Sequence, residues 1–136
     1  FGPKRIVIPS EPDDDGAPPY TVVDNAETIL DVTDLVFIDP IGTGFSRAIA
    51  GEDPRKHWGV LEDGKSVAKF VRQWIEDNNR WNSPKFIAGE SYGTVRAAVM
   101  ADELTNNHNI GLNGIMLISA VLTRCAHLRA QTMQLL

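Results

Sequence analysis

The stretch that most constrains the fold of this chain is KFIAGESYGTVRAA at residues 85–98. A short apolar run at 86–88 leads into the pentapeptide GESYG at 89–93, and an alanine-rich, helix-favouring segment follows. The pattern predicts a strand, a sharp turn and a helix, which is the context of a nucleophile elbow. Gly89 and Gly93 are expected to flank this turn because a strained serine between them leaves no room for a Cβ on either side.

In such a turn Ser91 would stand at the carboxyl end of a strand with its Oγ exposed. The Tyr92 amide would point toward a developing oxyanion, where the positive end of the helix dipole favours negative charge. A bare Gly-x-Ser-x-Gly pattern is common by chance, so the flanking strand and helix carry the prediction. The alternative is a tight turn whose serine only caps the helix.

Composition limits the class of protein. A chain of 136 residues is one domain or a piece of one, and it is long enough to bury a core of its own. Thirteen basic and eighteen acidic side chains leave a net charge of −5, which argues against nucleic acid as a main partner. The single cysteine, Cys125, excludes an internal disulfide. No membrane span is expected, because no apolar run approaches the ~20 residues that one requires.

The first residues of the chain bear on whether it has been processed. The first residues, FGPKR, do not resemble a signal peptide, and the chain begins with Phe1 rather than methionine. We therefore expect a processed chain or a fragment of a longer one.

The other segments predict an alternation of strands and helices. Residues 35–38 form an unbroken apolar run, typical of a strand buried on both faces in a parallel sheet. Apolar positions at helical spacing predict an amphipathic helix over about 62–78, with Trp74 in the core. The helix after the turn should run to about Leu104, and 111–119 should form another buried strand. A shorter strand is expected at 6–8, and a short strand or turn within 20–29. This order predicts a parallel sheet with right-handed crossovers.

Two loops contain residue types that often bind ligands, but neither has the residue spacing that such a site requires. Three aspartates at 13–15, within the polar loop 11–19, do not alternate as calcium ligands do in an EF-hand, so we expect a solvated loop. Gly42 and Gly44 follow the apolar run without the lysine or third glycine of a phosphate loop. No metal and no organic cofactor is predicted.

Four blocks of sequence are similar to a known family. They are FGPKR at 1–5, DLVFIDPIGTGFS at 34–46, WNSPKF at 81–86 and GESYG at 89–93. On these blocks the chain resembles the serine carboxypeptidases, a branch of the α/β-hydrolase fold, and looks closest to their bacterial-type members. The likeness covers about residues 1–122, and the second and fourth blocks together are specific.

The resemblance implies a fold and a set of roles. The fold would be α/β: one partial domain over 1–136, with the central strands and nucleophile elbow of an α/β-hydrolase-like parallel sheet and its flanking helices. Ser91 would be the acylating nucleophile and the Tyr92 amide one oxyanion donor. Glu90 would help bind the free carboxylate of the peptide's last residue, which requires that Glu90 or a partner acid hold a proton. Such a site favours an acidic working pH.

The resemblance also implies what lies elsewhere. The second oxyanion amide would precede Phe1, and the catalytic aspartate and histidine would follow Ser91 at a long interval. Neither His57, upstream, nor His108 or His127, downstream, is expected to be the base. Residues 123–136 depart from the family pattern as a divergent tail, which either a shifted or truncated reading frame or a real divergent helix would explain.

These implications lead to one functional hypothesis and two rivals. The first is a serine-type carboxypeptidase acting on peptide or protein carboxyl termini, with little activity in this chain alone. An esterase or acyltransferase of the same fold is the rival enzyme, and a non-catalytic fragment or binding module is the rival from another class. Uncovered sheet edges would favour self-association. The resemblance places the parent protein in a periplasm, a vacuole or outside the cell.

Overall fold

The computed structural model of the chain describes residues 1–7 and 18–121. The chain divides into two units, Phe1–Phe37 and Ile38–Leu136. The aspartates at 13–15 and the divergent tail at 123–136 lie outside the described residues.

The first unit is built on a small antiparallel pair, β1 (Lys4–Ile6) and β2 (Val22–Asp24). Arg5 stands opposite Val23, and the Lys4 ammonium pairs with the Asp24 carboxylate across the strands. The sequence predicted the first strand two residues later than it occurs. Within the range where a short strand or turn was expected, β2 is present.

The prediction of a strand at residues 35–38 is wrong, because the described backbone there is irregular. Val36 and Phe37 are 44% and 72% exposed, so the run is not buried on both faces. An apolar run becomes a strand only where another backbone supplies hydrogen bonds. The two described sheets contain only β1 with β2 and, in the second unit, the strand 86–90 with the strand 114–118. The segment therefore keeps the composition of a strand without the pairing.

The second unit begins its regular structure with a short 3-10 helix, Pro54–His57, and continues into α1 (Val60–Asp77). The Asp53 carboxylate accepts the Arg55 amide at 3.0 Å and so caps the 3-10 helix. The amphipathic helix predicted over 62–78 is confirmed. Trp74 is partly buried and packs against the core, as expected.

A strand, a helix and a second strand follow: β3 (Phe86–Glu90), α2 (Tyr92–His108) and β4 (Gly114–Ile118). The two strands are parallel, with Glu90 opposite Ile118 at the carboxyl edge. The predicted strand–turn–helix is thus present, and the last strand lies where it was expected. Parallel strands connected by a helix give this unit an α/β architecture.

The strand β4 is not buried as predicted. Ile115, Met116 and Leu117 are 41%, 48% and 47% exposed. The physical reason is that β3 and β4 form a two-stranded sheet in the described part of the chain, so part of its apolar surface stays exposed. Self-association through such edges stays a prediction.

The core of the second unit lies between α1 and α2. The helices approach so closely at Gly64 that an added Cβ would lie 2.4 Å from a methyl carbon of Val99. The buried apolar residues of this interface and its neighbourhood are Val67, Ala68, Ile75, Met100, Leu104 and Ile110. Neither described helix is long and apolar enough to cross a membrane.

Candidate functional site

The turn between β3 and α2 holds Ser91 in a strained conformation. Its φ of 52° and ψ of −119° lie where side-chain-bearing residues are rare. The Ser91 amide donates to the Ile118 carbonyl at 3.0 Å, and the Ser91 carbonyl accepts the Thr94 amide at 3.0 Å and the Thr94 hydroxyl at 2.7 Å. Hydrogen bonds on both sides of the residue thus maintain a conformation that costs about 1–3 kcal/mol.

The side chain of Ser91 is not used to hold this turn. Ser91 occupies the N-cap position of α2, but its Oγ makes no capping hydrogen bond. The residue is exposed, and Oγ has no hydrogen-bond partner within residues 1–7 and 18–121. The alternative in which this serine serves only as a helix cap is therefore wrong, because the hydroxyl does not make the bond that defines a cap.

The two glycines of the pentapeptide differ in their surroundings. A Cβ on Gly89 would lie 2.1 Å from the Gly93 carbonyl oxygen, so only glycine fits at that position. A Cβ on Gly93 would meet no described atom within 4 Å, and the steric reason predicted for that glycine is wrong. Gly93 already belongs to the first turn of α2.

The residues beside Ser91 each leave a polar group free. Tyr92 is the first residue of α2, and its N–H has no acceptor in the described part of the chain, as expected at a helix N-terminus. Glu90 ends β3 with an exposed carboxylate that makes no hydrogen bond or ion pair with a described residue. A free hydroxyl, an amide donor and a carboxylate stand on three consecutive residues at the carboxyl edge of the sheet.

A charged cluster of Asp63 and Arg96 lies next to Tyr92 in this turn. Asp63, on the first turn of α1, is 6% exposed and accepts a 2.8 Å hydrogen bond from Arg96 Nε. The Arg96 guanidinium also lies 5.2 Å from the centre of the Tyr92 ring, which is within the range of a cation–π contact. Partial burial raises the pKa of Tyr92, and the charge and hydrogen bonding of Asp63 raise it further, while Arg96 acts in the opposite direction.

The sequence analysis did not identify Asp63 and Arg96. The two residues are 33 positions apart and meet only because α1 packs on α2. The available signal was an acid in the first turn of one amphipathic helix and a base in the first turns of the next. Such a pattern is common on solvated helix faces, so it does not by itself indicate a pair.

One of the described histidines, His108, lies far from Ser91. His108 is the last of the 17 residues of α2, which puts it about 24 Å from the other end of the helix at 1.5 Å per residue. His57 lines a shallow groove together with His108. Each imidazole has a glutamate nearby, with Nε2 of His57 3.9 Å from Glu52 and Nε2 of His108 3.8 Å from Glu103. His127 lies outside the described residues.

No group of three or more histidine, cysteine, aspartate or glutamate side chains is placed to hold a metal ion in residues 1–7 and 18–121.

By fold and site, the described chain is an α/β protein with a strained, exposed serine between a parallel strand and a helix. A family model described as serine carboxypeptidase matches residues 13–135. Since the match spans most of the sequence, this chain belongs to the serine carboxypeptidase family. Comparisons with curated proteins and with solved structures gave no significant match.

Proposed function

We propose that Ser91 is the nucleophile of a serine-type carboxypeptidase and that residues 86–108 form the nucleophile elbow of an α/β-hydrolase-like sheet. The observation that carries the proposal is the backbone of Ser91, held at a φ of 52° while its Oγ remains free. A strained residue persists only where the surrounding structure maintains it, and such strain concentrates at functional sites. Membership of the serine carboxypeptidase family supports the same reaction class.

The reaction is acyl transfer. Ser91 Oγ attacks the carbonyl carbon of the last peptide bond while a base takes its proton, and the Tyr92 N–H donates to the oxyanion that forms. The C–N bond then breaks, the leaving amine takes the proton, and water hydrolyses the acyl-enzyme to release the shortened peptide. His108, at the other end of α2, is too remote to be the base. The base is therefore His57, His127, a group of a longer parent protein or a group of a second chain.

Glu90 gives the proposed site its preference for a free carboxyl terminus. Its side chain is exposed beside the nucleophile, where a substrate's terminal carboxylate would lie after the scissile bond is placed at Ser91. Two carboxyl groups bind each other only when one of them holds a proton. A second carboxyl group close to Glu90 would share this role.

Labelling with a fluorophosphonate probe tests the nucleophile. The wild-type chain is expected to carry the label on Ser91, located by peptide mass spectrometry, and Ser91→Ala should carry none. Ser119→Ala is the matched control, because Ser119 is also exposed, also follows a strand of this sheet and also has a positive φ, of 51°. A folded wild-type chain that takes no label, or that takes it equally at Ser119, contradicts the proposal for this chain.

Substrate comparisons separate the proposed carboxypeptidase from its rivals. An esterase or acyltransferase would process esters at least as well as peptides with a free carboxyl terminus. Glu90→Gln should alter the pH profile for free-carboxylate peptides and leave the profile for amidated peptides or esters unchanged. If both profiles shift alike, Glu90 does not bind the terminal carboxylate. A non-catalytic module requires that Ser91→Ala change nothing measurable.

A further inference from the structure

The charged pair of Asp63 and Arg96 joins α1 to α2 and also contacts Tyr92, the first residue of α2. Asp63 comes from α1, whereas Arg96 and Tyr92 come from the first turns of α2. The close approach of the helices at Gly64 brings Asp63 within 2.8 Å of Arg96 Nε. A pair made only to join the helices would not need the Tyr92 ring, yet the Arg96 guanidinium also lies over that ring.

We propose that Asp63 and Arg96 are positioning residues that hold the Tyr92 amide in place as an oxyanion donor. The proposal rests on the function assigned above to Ser91 and Tyr92. Tyr92 is the first residue of α2, and its N–H lacks the intrahelical bond that fixes amides deeper in a helix. Its orientation therefore depends on contacts of the side chain, whose ring lies under the Arg96 guanidinium that Asp63 in turn holds.

The burial of the pair supports this role. Only 8% of the Asp63 side chain and 24% of the Arg96 side chain is exposed, so water competes weakly for their hydrogen bond. A buried, charge-assisted bond constrains its partners more than an exposed ion pair does. Small displacements at a reacting centre are costly, and 1 Å can reduce a rate roughly 100-fold.

Labelling kinetics test the proposal with two variants and one control. Asp63→Asn keeps the shape of the side chain and removes its charge. Arg96→Lys keeps the charge and removes both the Nε donor and the planar group over the ring. Asp77→Asn is the control, because it makes the same change at the other end of α1, where the carboxylate accepts Gln73 Nε2 at 2.9 Å on the exposed face.

In both variants the maximal rate constant for modification of Ser91 should fall ~10-fold, a loss of about 1.4 kcal/mol of transition-state stabilisation. The probe concentration that gives half of this rate should not change, and Asp77→Asn should behave like wild type. Circular dichroism verifies that each variant keeps its helices. If Asp63→Asn does not fold, Arg96→Lys alone decides. A variant that melts earlier while labelling at the wild-type rate overturns the proposal.

A second measurement does not depend on reactivity. The backbone order parameter of the Tyr92 amide, from nuclear magnetic relaxation, should fall in Asp63→Asn and Arg96→Lys, while that of Val95 in the next turn stays at its wild-type value. An unchanged Tyr92 amide, or an equal fall at both residues, overturns the positioning role. A wild-type chain that takes no label contradicts the function proposed for Ser91, and the relaxation data then decide whether this pair holds the Tyr92 amide.

Discussion

The hydroxyl of Thr94 donates a 2.7 Å hydrogen bond to the carbonyl of Ser91. The same hydroxyl accepts the Val121 amide at 3.3 Å, so one side chain joins the serine turn to the segment after β4. Thr94 is 4% exposed, and it sits on α2 one turn from the serine. The strained turn is therefore held by a buried polar contact that comes from outside the pentapeptide.

Replacing Thr94 by valine should destabilise the chain by about 1–2 kcal/mol, because a methyl group cannot bond the Ser91 carbonyl or accept the Val121 amide. Thr94→Ser keeps the hydroxyl and should cost less. The free energy of unfolding from urea denaturation measures both changes. If Thr94→Val is instead more stable than Thr94→Ser, the methyl group of Thr94 matters here more than its hydroxyl.

The strain at Ser91 predicts a gain in stability when the nucleophile is lost. Ser91→Gly should raise the free energy of unfolding by about 1 kcal/mol, since glycine adopts a positive φ without steric cost. Ser91→Ala keeps a Cβ and should give no such gain, and neither variant should take the fluorophosphonate label. Thermal unfolding of the three proteins is the measurement. A glycine variant no more stable than the alanine variant would mean that the turn stores no strain.

The two glycines of the pentapeptide should respond differently to the same change. Gly89→Ala places a Cβ 2.1 Å from the Gly93 carbonyl oxygen and should cost roughly 1–3 kcal/mol as the turn shifts to make room. Gly93→Ala meets open space in the described structure and should be nearly neutral or slightly stabilising, because alanine favours the helix. Denaturant unfolding of the two variants tests this difference, and a larger cost at Gly93 would be the opposite of what we expect.

The raised pKa of Tyr92 predicts a pH dependence of stability. Burial and Asp63 raise the folded-state pKa above the ordinary 10.0, so the folded protein holds this proton more tightly than the unfolded chain. Its contribution to stability is complete below pH 10.0 and is lost as the pH rises through the folded-state pKa.

The control for this titration is Tyr92→Phe. As the pH rises through the same alkaline range, the free energy of unfolding of this variant should fall less than that of the wild type. Tyr20 is present in both proteins, so its contribution is the same in both curves. Urea unfolding at a series of pH values gives both curves. Parallel curves would mean that the Tyr92 phenol ionises equally easily in the folded and unfolded states.

Some of the chain could be predicted from residues close together in sequence. The spacing of Val67, Trp74 and Ile75 indicated α1, and the pentapeptide between an apolar run and an alanine-rich segment indicated β3, the turn and α2. These predictions succeeded because hydrophobic periodicity and turn-forming residues act within a few positions. The same reasoning failed at residues 35–38, since the run has the composition of a strand but no described partner.

By itself, then, the sequence determined the elements around Ser91 and the family to which the chain belongs. Only the tertiary structure decided that the Ser91 hydroxyl does not cap its helix and that Gly89 rather than Gly93 is sterically required. It also decided that Asp63 meets Arg96 beside Tyr92, and that His57 and His108 line the same groove. The physical reason is that such contacts join residues distant along the chain, and their geometry is set by how α1, α2 and the sheet pack rather than by any local preference.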